Sequence, residues 1–256
     1  MLPMITLTNF CYEDLFNNLN LSILKNKLTI ISGANNCGKT TLIRILNREI
    51  ITSNVVSVNN KEMNKYRIED YSSLVQCVIP LEITYEETTI GGEMLYYNNN
   101  QEEIDAIVKS LKLKRSLHKS VSTLTTREIV LSQIALALIR KPKILLLDNL
   151  RMYLTKKETK EVIEFLKSIQ QSNEITIIIT TIHLEESLLA DYLYIIGDKK
   201  IALSGEPTTV LANDNKINKL GLSLPFMMDL SVKLKDYDLI KEIELDKDRM
   251  VESLWK

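Results

Sequence analysis

The chain has 256 residues, 45% of them hydrophobic, enough for one large domain or for a domain with an appendage. Its 32 Lys and Arg nearly cancel 33 Asp and Glu, so no global field draws it to nucleic acid or anionic lipid, and any partner must be recognised locally. The longest apolar runs are strand-sized, which excludes a membrane-spanning helix, and three widely spaced cysteines argue against a disulfide framework or a zinc site.

No basic segment followed by an apolar core and a cleavage site stands near Met1, so a cytosolic location is expected. Strand signals fall at residues 4–7, 28–32, 73–77, 144–147, 175–180, 192–196 and 200–203, and helical patterns at 40–47, 101–111, 126–139, 156–170 and 184–189. The runs at 144–147 and 175–179 lack period-two alternation, as expected for strands covered by helices on both faces of an α/β sheet. Thr155, three residues ahead of Glu158, forms a capping box before the stripe Val162, Phe165, Leu166 and Ile169. Beyond Gly205-Glu206-Pro207 the pattern becomes short amphipathic helices, with Phe226, Met227, Leu230 and Leu234 on one face. Asp246 caps the last helix, and Leu245 can staple to Met250 across it. These features predict an α/β unit over residues 1–213, with a helical subdomain inserted at about 84–142, and an appended helical unit over 214–256.

The most specific motif is at residues 33–40, which read Gly-Ala-Asn-Asn-Cys-Gly-Lys-Thr between an apolar run and a helical stretch. This is a complete G-x-x-x-x-G-K-[ST] phosphate loop. Gly33 and Gly38 let the backbone N–H groups of Asn35, Asn36 and Cys37 curl around phosphates, and the helix starting near Thr40 and Thr41 adds its positive end. Lys39 is expected to reach the β- and γ-phosphates, and the Thr40 hydroxyl to ligate magnesium. The chain is therefore expected to bind ATP with Mg2+.

The elements that follow resemble, as an ordered set, the nucleotide-binding subunit of ABC transporters, and imply a P-loop NTPase core with a mixed or parallel sheet. The resemblance implies that Tyr12 stacks on adenine, that Gln76 approaches the metal and the attacking water, and that His183 touches the γ-phosphate. The run 144–148 ends in Asp148, where the family holds its metal opposite the phosphate loop. Three departures stand beside these matches. The family's catalytic glutamate after the aspartate is here Asn149, which can orient a water but cannot accept its proton. Residues 150–155, Leu-Arg-Met-Tyr-Leu-Thr, replace the family's Pro-Thr-Ser-Ala-Leu-Asp. The signature Leu-Ser-Gly-Gly-Gln is here Leu124-Thr125-Thr126-Arg127-Glu128.

In the family, the signature helix of one subunit caps the γ-phosphate on the other. Thr125 keeps the hydroxyl that contacts it, while Thr126 and Arg127 put side chains where glycine allows close approach, Arg127 adding positive charge, which implies a weaker clamp. The defects fall in different composite sites, so the chain looks like the degenerate half of an ATPase heterodimer, weakly active alone. Residues 221–226, Gly-Leu-Ser-Leu-Pro-Phe, and the end near 251–254 resemble the tail of energy-coupling factor ATPases. That likeness implies an importer of a vitamin or other micronutrient, with a second ATPase subunit, a transmembrane coupling subunit and a membrane substrate-binding subunit as partners, and no nucleic acid. It also implies peripheral attachment at the cytoplasmic face of the membrane. A regulatory nucleotide sensor without a transport role is the alternative reading.

Overall fold

The computed structural model describes residues 3–53, 55–82 and 85–255. The expected unit limits at Met1, Thr84 and Lys256 lie outside the described residues. A four-stranded sheet is built from β1 (Pro3–Tyr12), β2 (Phe16–Leu24), β4 (Val56–Val58) and β5 (Lys61–Glu62), paired antiparallel in the order β2-β1-β4-β5. The second sheet has six strands in the order β10-β9-β3-β8-β7-β6. Its members are β3 (Leu28–Gly33), β6 (Val75–Val78), β7 (Ile144–Asp148), β8 (Thr176–Thr181), β9 (Tyr192–Gly197) and β10 (Lys200–Gly205). All neighbours pair parallel except β9 and β10.

Alternate residues of the central strands feed two different apolar cores. Ile30, Leu145, Leu147, Ile177 and Ile179 join one, and Ile31, Ile144, Leu146 and Ile178 the other. That is why these strands read as continuous apolar runs: both pleat faces are covered. Helix α1 (Lys39–Leu46) buries Leu42, Ile43, Ile45 and Leu46 in the second core, beneath the four-stranded sheet. Helix α2 (Ile68–Leu74) leads straight into β6. Residues 73 and 74, read from sequence as strand, complete α2 instead, because the strand pairing with β7 begins only at Val75.

Helices α3 (Ile90–Tyr97), α4 (Gln101–Ser110) and α5 (Thr126–Ile139) pack on the first core through Ile90, Met94, Ile104, Val108 and Ile134. Helix α6 (Lys156–Asn173) lies along the sheet, and the stretch 184–189, read as helical, is a 3-10 helix. The chain ends in α7 (Pro207–Leu211), α8 (Asp214–Lys219), α9 (Phe226–Asp236) and α10 (Lys247–Leu254). Ile217, Leu222, Met228 and Val232 join the first core, so the C-terminal helices share it with the sheet. Helix α9 buries Met228, Ser231 and Val232, while the face expected from sequence is left open, with Phe226 73% exposed and Met227, Leu230 and Leu234 half-buried. The Asp246 carboxylate accepts from the N–H groups of Asp248 and Arg249, as its capping role requires.

Candidate nucleotide site

Strand β3 delivers the phosphate loop to the C-terminal edge of the parallel sheet, where α/β folds place ligands. Gly33 closes the strand with no space for a side chain: a Cβ there would stand 2.5 Å from Cys37 Sγ and 2.8 Å from the Ile196 carbonyl oxygen. Gly38, at φ +94°, turns the chain into α1, and its missing Cβ leaves room for the Phe16 ring. The Lys39 ammonium donates to the Gly33 and Ala34 carbonyls at 2.8 Å each and lies 3.6 Å from Cys37 Sγ. The N-terminus of α1 has no side-chain cap and no acidic residue in its first turn, so its positive end faces the loop unneutralised.

The parallel register brings Asp148, the last residue of β7, to the same edge. The Thr40 hydroxyl donates to one Asp148 oxygen at 2.7 Å, and the Thr180 hydroxyl donates to the other. A hydroxyl and a carboxylate converging on one point suit a hard dication that takes a few protein oxygens and fills its shell with phosphate and water. Among the described residues no group of three or more acidic, His or Cys side chains forms a metal cage of its own. The Thr40 and Asp148 pair therefore fits magnesium brought in with a nucleotide.

A cavity of about 340 Å³ opens over these groups, lined among others by Asn35, Asn36, Thr41, Asp148 and Asn149. Asn149 sits in the left-handed region at φ 44°, its N–H bonded to the Thr180 carbonyl at 3.0 Å. Asn tolerates that conformation better than most residues, because its short side chain makes local hydrogen bonds. Among the described residues, no carboxylate besides Asp148 lines this cavity. The turn joining β1 and β2 contributes Leu15 to the wall, whereas Tyr12 pairs with Phe16 across the hairpin and packs on the second core.

Two of the expected site residues are placed differently. Gln76 lies beside Leu145 in the β6–β7 register, three residues short of Asp148 along the parallel strand, or about 10 Å at the usual rise. Its amide donates to the Ser72 carbonyl at 2.6 Å and its oxygen accepts from Arg140 at 3.0 Å. The glutamine is thus held away from the metal point, and Val78, buried against Leu147, ends the strand instead. Arg127 is no free cation: its guanidinium is paired with Glu158 at the start of α6.

His183 follows β8, with its N–H bonded to Thr181 Oγ1 at 3.0 Å. It lines a second cavity, of about 450 Å³, that shares Asn35 and Ile182 with the first. Burial, and then the Arg151 guanidinium nearby, push its pKa below the usual imidazole value, with Glu185 opposing. The ring is therefore neutral at physiological pH.

Thr125 and Glu128 show what the sequence reading overlooked at α5. The Thr125 hydroxyl caps the Glu128 N–H at 3.3 Å, and the Glu128 carboxylate accepts from the Thr125 N–H at 2.9 Å. The same carboxylate accepts from Lys119 at 2.6 Å and from Ser116 at 2.5 Å. Lys119 first, then Ser116 and Thr125, hold the Glu128 pKa down at about 2. Thr-x-x-Glu was legible here as a capping box, as it was at Thr155-x-x-Glu158.

Comparison with known proteins agrees with this geometry. The sequence model of the ABC transporter family matches residues 16–150, just over half of the chain. The energy-coupling factor transporter ATP-binding protein EcfA of Pediococcus pentosaceus is 25% identical over 91% of this chain and 86% of its own length. EcfA1 of Clostridium novyi is also 25% identical, over 93% and 89%. An ABC transporter ATP-binding protein of Methanosarcina mazei shares 25% identity, and there the chain spans only 41% of the relative's length. Among solved structures, CbiO1 of Clostridium perfringens, described as part of the ABC transporter complex CbiONQ, superposes with a TM-score of 0.72 at 22% identity, covering 89% of this chain and 98% of that one. A bacterial Atm1-family ABC exporter with ATP bound superposes at 0.75 and 18%, covering 86% and 41%. With the family match, the phosphate loop and the Asp148 edge in agreement, the chain belongs to the ABC transporter family.

Proposed function

We propose that the chain is the ATP-binding subunit of an energy-coupling-factor-type importer of a vitamin or other micronutrient, and the half of an ATPase heterodimer that holds ATP rather than hydrolysing it. One observation carries this: a phosphate loop and a Thr40–Asp148 pair fit for Mg-ATP share their cavity with Asn149, where a base would be needed. Asn35, Asn36, Lys39 and Thr41 bind the phosphates, and Thr40 and Asp148 hold the magnesium. When bound, magnesium neutralises charge on the β- and γ-phosphates. Asn149 positions a water without taking its proton, which forgoes a contribution of roughly 10²–10⁴-fold.

The proposal includes a division at residues 213 and 214, with the C-terminal helices offering the open face of α9 to a second ATPase. A transmembrane coupling subunit and a membrane substrate-binding subunit complete the assembly, and hold the chain at the cytoplasmic face. The importer reading is supported by EcfA relatives that match this chain over nearly their whole length.

The test uses the purified full chain. It is expected to bind Mg-ATP in calorimetry while hydrolysing it at or near background, and to co-purify in detergent with a second ATPase and a multi-span membrane protein when all are co-expressed. Robust hydrolysis by the chain alone, abolished by Lys39→Ala, overturns the holding role. Asn149→Glu is expected to restore little activity.

A further inference from the structure

We propose that the cavity framed by the turn after α1, helix α2 and the end of α5 is a binding site for a small organic anion, a carboxylate or phosphate monoester on an apolar body, recognised by Arg48 and Arg140. The inference is independent of the nucleotide reading, because this cavity and the one over Asp148 share no lining residue.

The first ground is a pair of charges without counter-ions. Arg140, which follows α5, stacks on Tyr97 with its guanidinium carbon 3.8 Å from the ring centroid, and one terminal nitrogen donates to Gln76 Oε1 at 3.0 Å. Its Nε is buried with no hydrogen-bond partner among the described residues. Arg48 donates to the Tyr66 carbonyl at 3.1 Å and lies 5.2 Å from the centre of the Tyr71 ring. All these partners are neutral, and among the described residues no carboxylate forms an ion pair with either arginine. Arg48 is also held in the left-handed region at φ 62°, which a bulky residue seldom occupies. Guanidiniums keep their charge at any physiological pH, so two half-buried ones beside apolar walls are costly to hold without an anion between them.

The second ground is the space the two arginines share. Both line one cavity of about 620 Å³, a size and make-up typical of small-molecule sites. Ile50, Met63 and Val75 give it apolar walls, Asn64 and Gln76 add neutral polar groups, and among the described residues no carboxylate lines it. Two acids, Glu49 and Glu82, line an adjoining cavity of about 350 Å³ that shares Arg140, but both are taken up by Arg44, at 3.6 and 2.6 Å. Gln76, expected at the metal, has its task here instead. Anchored on the Ser72 carbonyl at 2.6 Å, it fixes the Arg140 guanidinium at the cavity wall. A planar fork so held suits the paired oxygens of a carboxylate or phosphate, the apolar walls suit the body that carries them, and a cation of the same shape is repelled.

The experiment titrates the full chain with hexanoate, phenyl phosphate, inorganic phosphate and hexylammonium by calorimetry, with Mg-ADP present to fill the phosphate loop. Hexanoate and phenyl phosphate are expected to bind saturably, hexylammonium not to bind, and inorganic phosphate to bind about tenfold more weakly than phenyl phosphate or worse. Arg48→Gln and Arg140→Gln should each weaken both organic anions by about tenfold or more, with Mg-ATP affinity within about twofold of the unaltered chain. Thermal melts check that each variant folds. No saturable anion binding, equal binding of hexylammonium, or anion binding that survives both substitutions overturns the proposal and leaves the nucleotide reading untouched. Inorganic phosphate bound as well as phenyl phosphate also overturns it, marking an adventitious ion only. If the free chain binds no probe while both variants release a co-expressed membrane protein in detergent, the cavity seats an acidic segment of that partner, and the small-molecule site is refuted.

Discussion

The N-termini of α1 and α5 start as equivalent objects, each a set of unpaired N–H groups at the positive end of a helix dipole, and the chain treats them in opposite ways. At α1, among the described residues, no side chain caps that end: Gly38 has none and the first turn holds no acid. At α5 the end is filled from within, by the Thr125 hydroxyl and by a Glu128 carboxylate that also gathers Lys119 and Ser116. The contrast separates an end left open for an outside anion from one that supplies its own. Glu158 does the same for α6, its pKa held at about 2 by Thr155 and, less strongly, by Arg127. Under the pairing proposed above, α5 would offer a partner's phosphate a helix end already filled, a stronger reason for a weak clamp than the side-chain bulk inferred from the sequence.

Changes at the two helix ends are expected to differ in kind, and the largest lies at α1. Lys39→Ala should weaken Mg-ATP binding by on the order of a hundredfold or more in calorimetry, with little change in melting temperature. Gly38→Ala should destabilise the fold by about 2–4 kcal/mol, since the left-handed φ and a 2.6 Å approach of the new Cβ to Phe16 act together. A melting temperature lower by several degrees checks it. At α5, Glu128→Ala should cost about 1–2 kcal/mol in urea denaturation without touching ATP affinity, which sets a filled end apart from an open one.

The Glu128 effect also has a pH signature. A carboxyl with a folded pKa of about 2 and an ordinary unfolded value stabilises fully above the unfolded value, and that share is lost as pH falls towards 2. The urea midpoint of the wild type should therefore drop between pH 5 and 3 more steeply than that of Glu128→Gln. The smallest effect is expected from Thr125→Ala and Thr155→Ala, each costing about 1 kcal/mol, because the two caps share one geometry. Unequal costs would show that one of the two ends does more than close its helix.

The features legible from sequence were those with local causes. The phosphate loop, the two-faced strands and the cap at Thr155 each depend on a few neighbouring residues, and each lies where the pattern put it. Strand β2 went unread although Leu19, Leu21 and Ile23 alternate with polar residues, a plain period-two signal hidden in an Asn-rich stretch. The partners of Gln76 and Arg127 depended on register and on an α5–α6 contact, neither of which follows from spacing along the chain. Helix α9 shows a third limit. Its apolar residues nearly circle the helix, so periodicity alone could not choose which arc faces the core.

The two carbonyls that hold Lys39 make nucleotide capture an exchange of partners. A phosphate reaching this loop meets an ammonium already bonded to Gly33 and Ala34, and must draw it away from both. The heat released on binding is then the difference between two sets of charge-assisted bonds, smaller than a count of new contacts suggests. Between visits by nucleotide, the same lysine braces the loop from inside, so the curved backbone is kept in shape for the next one.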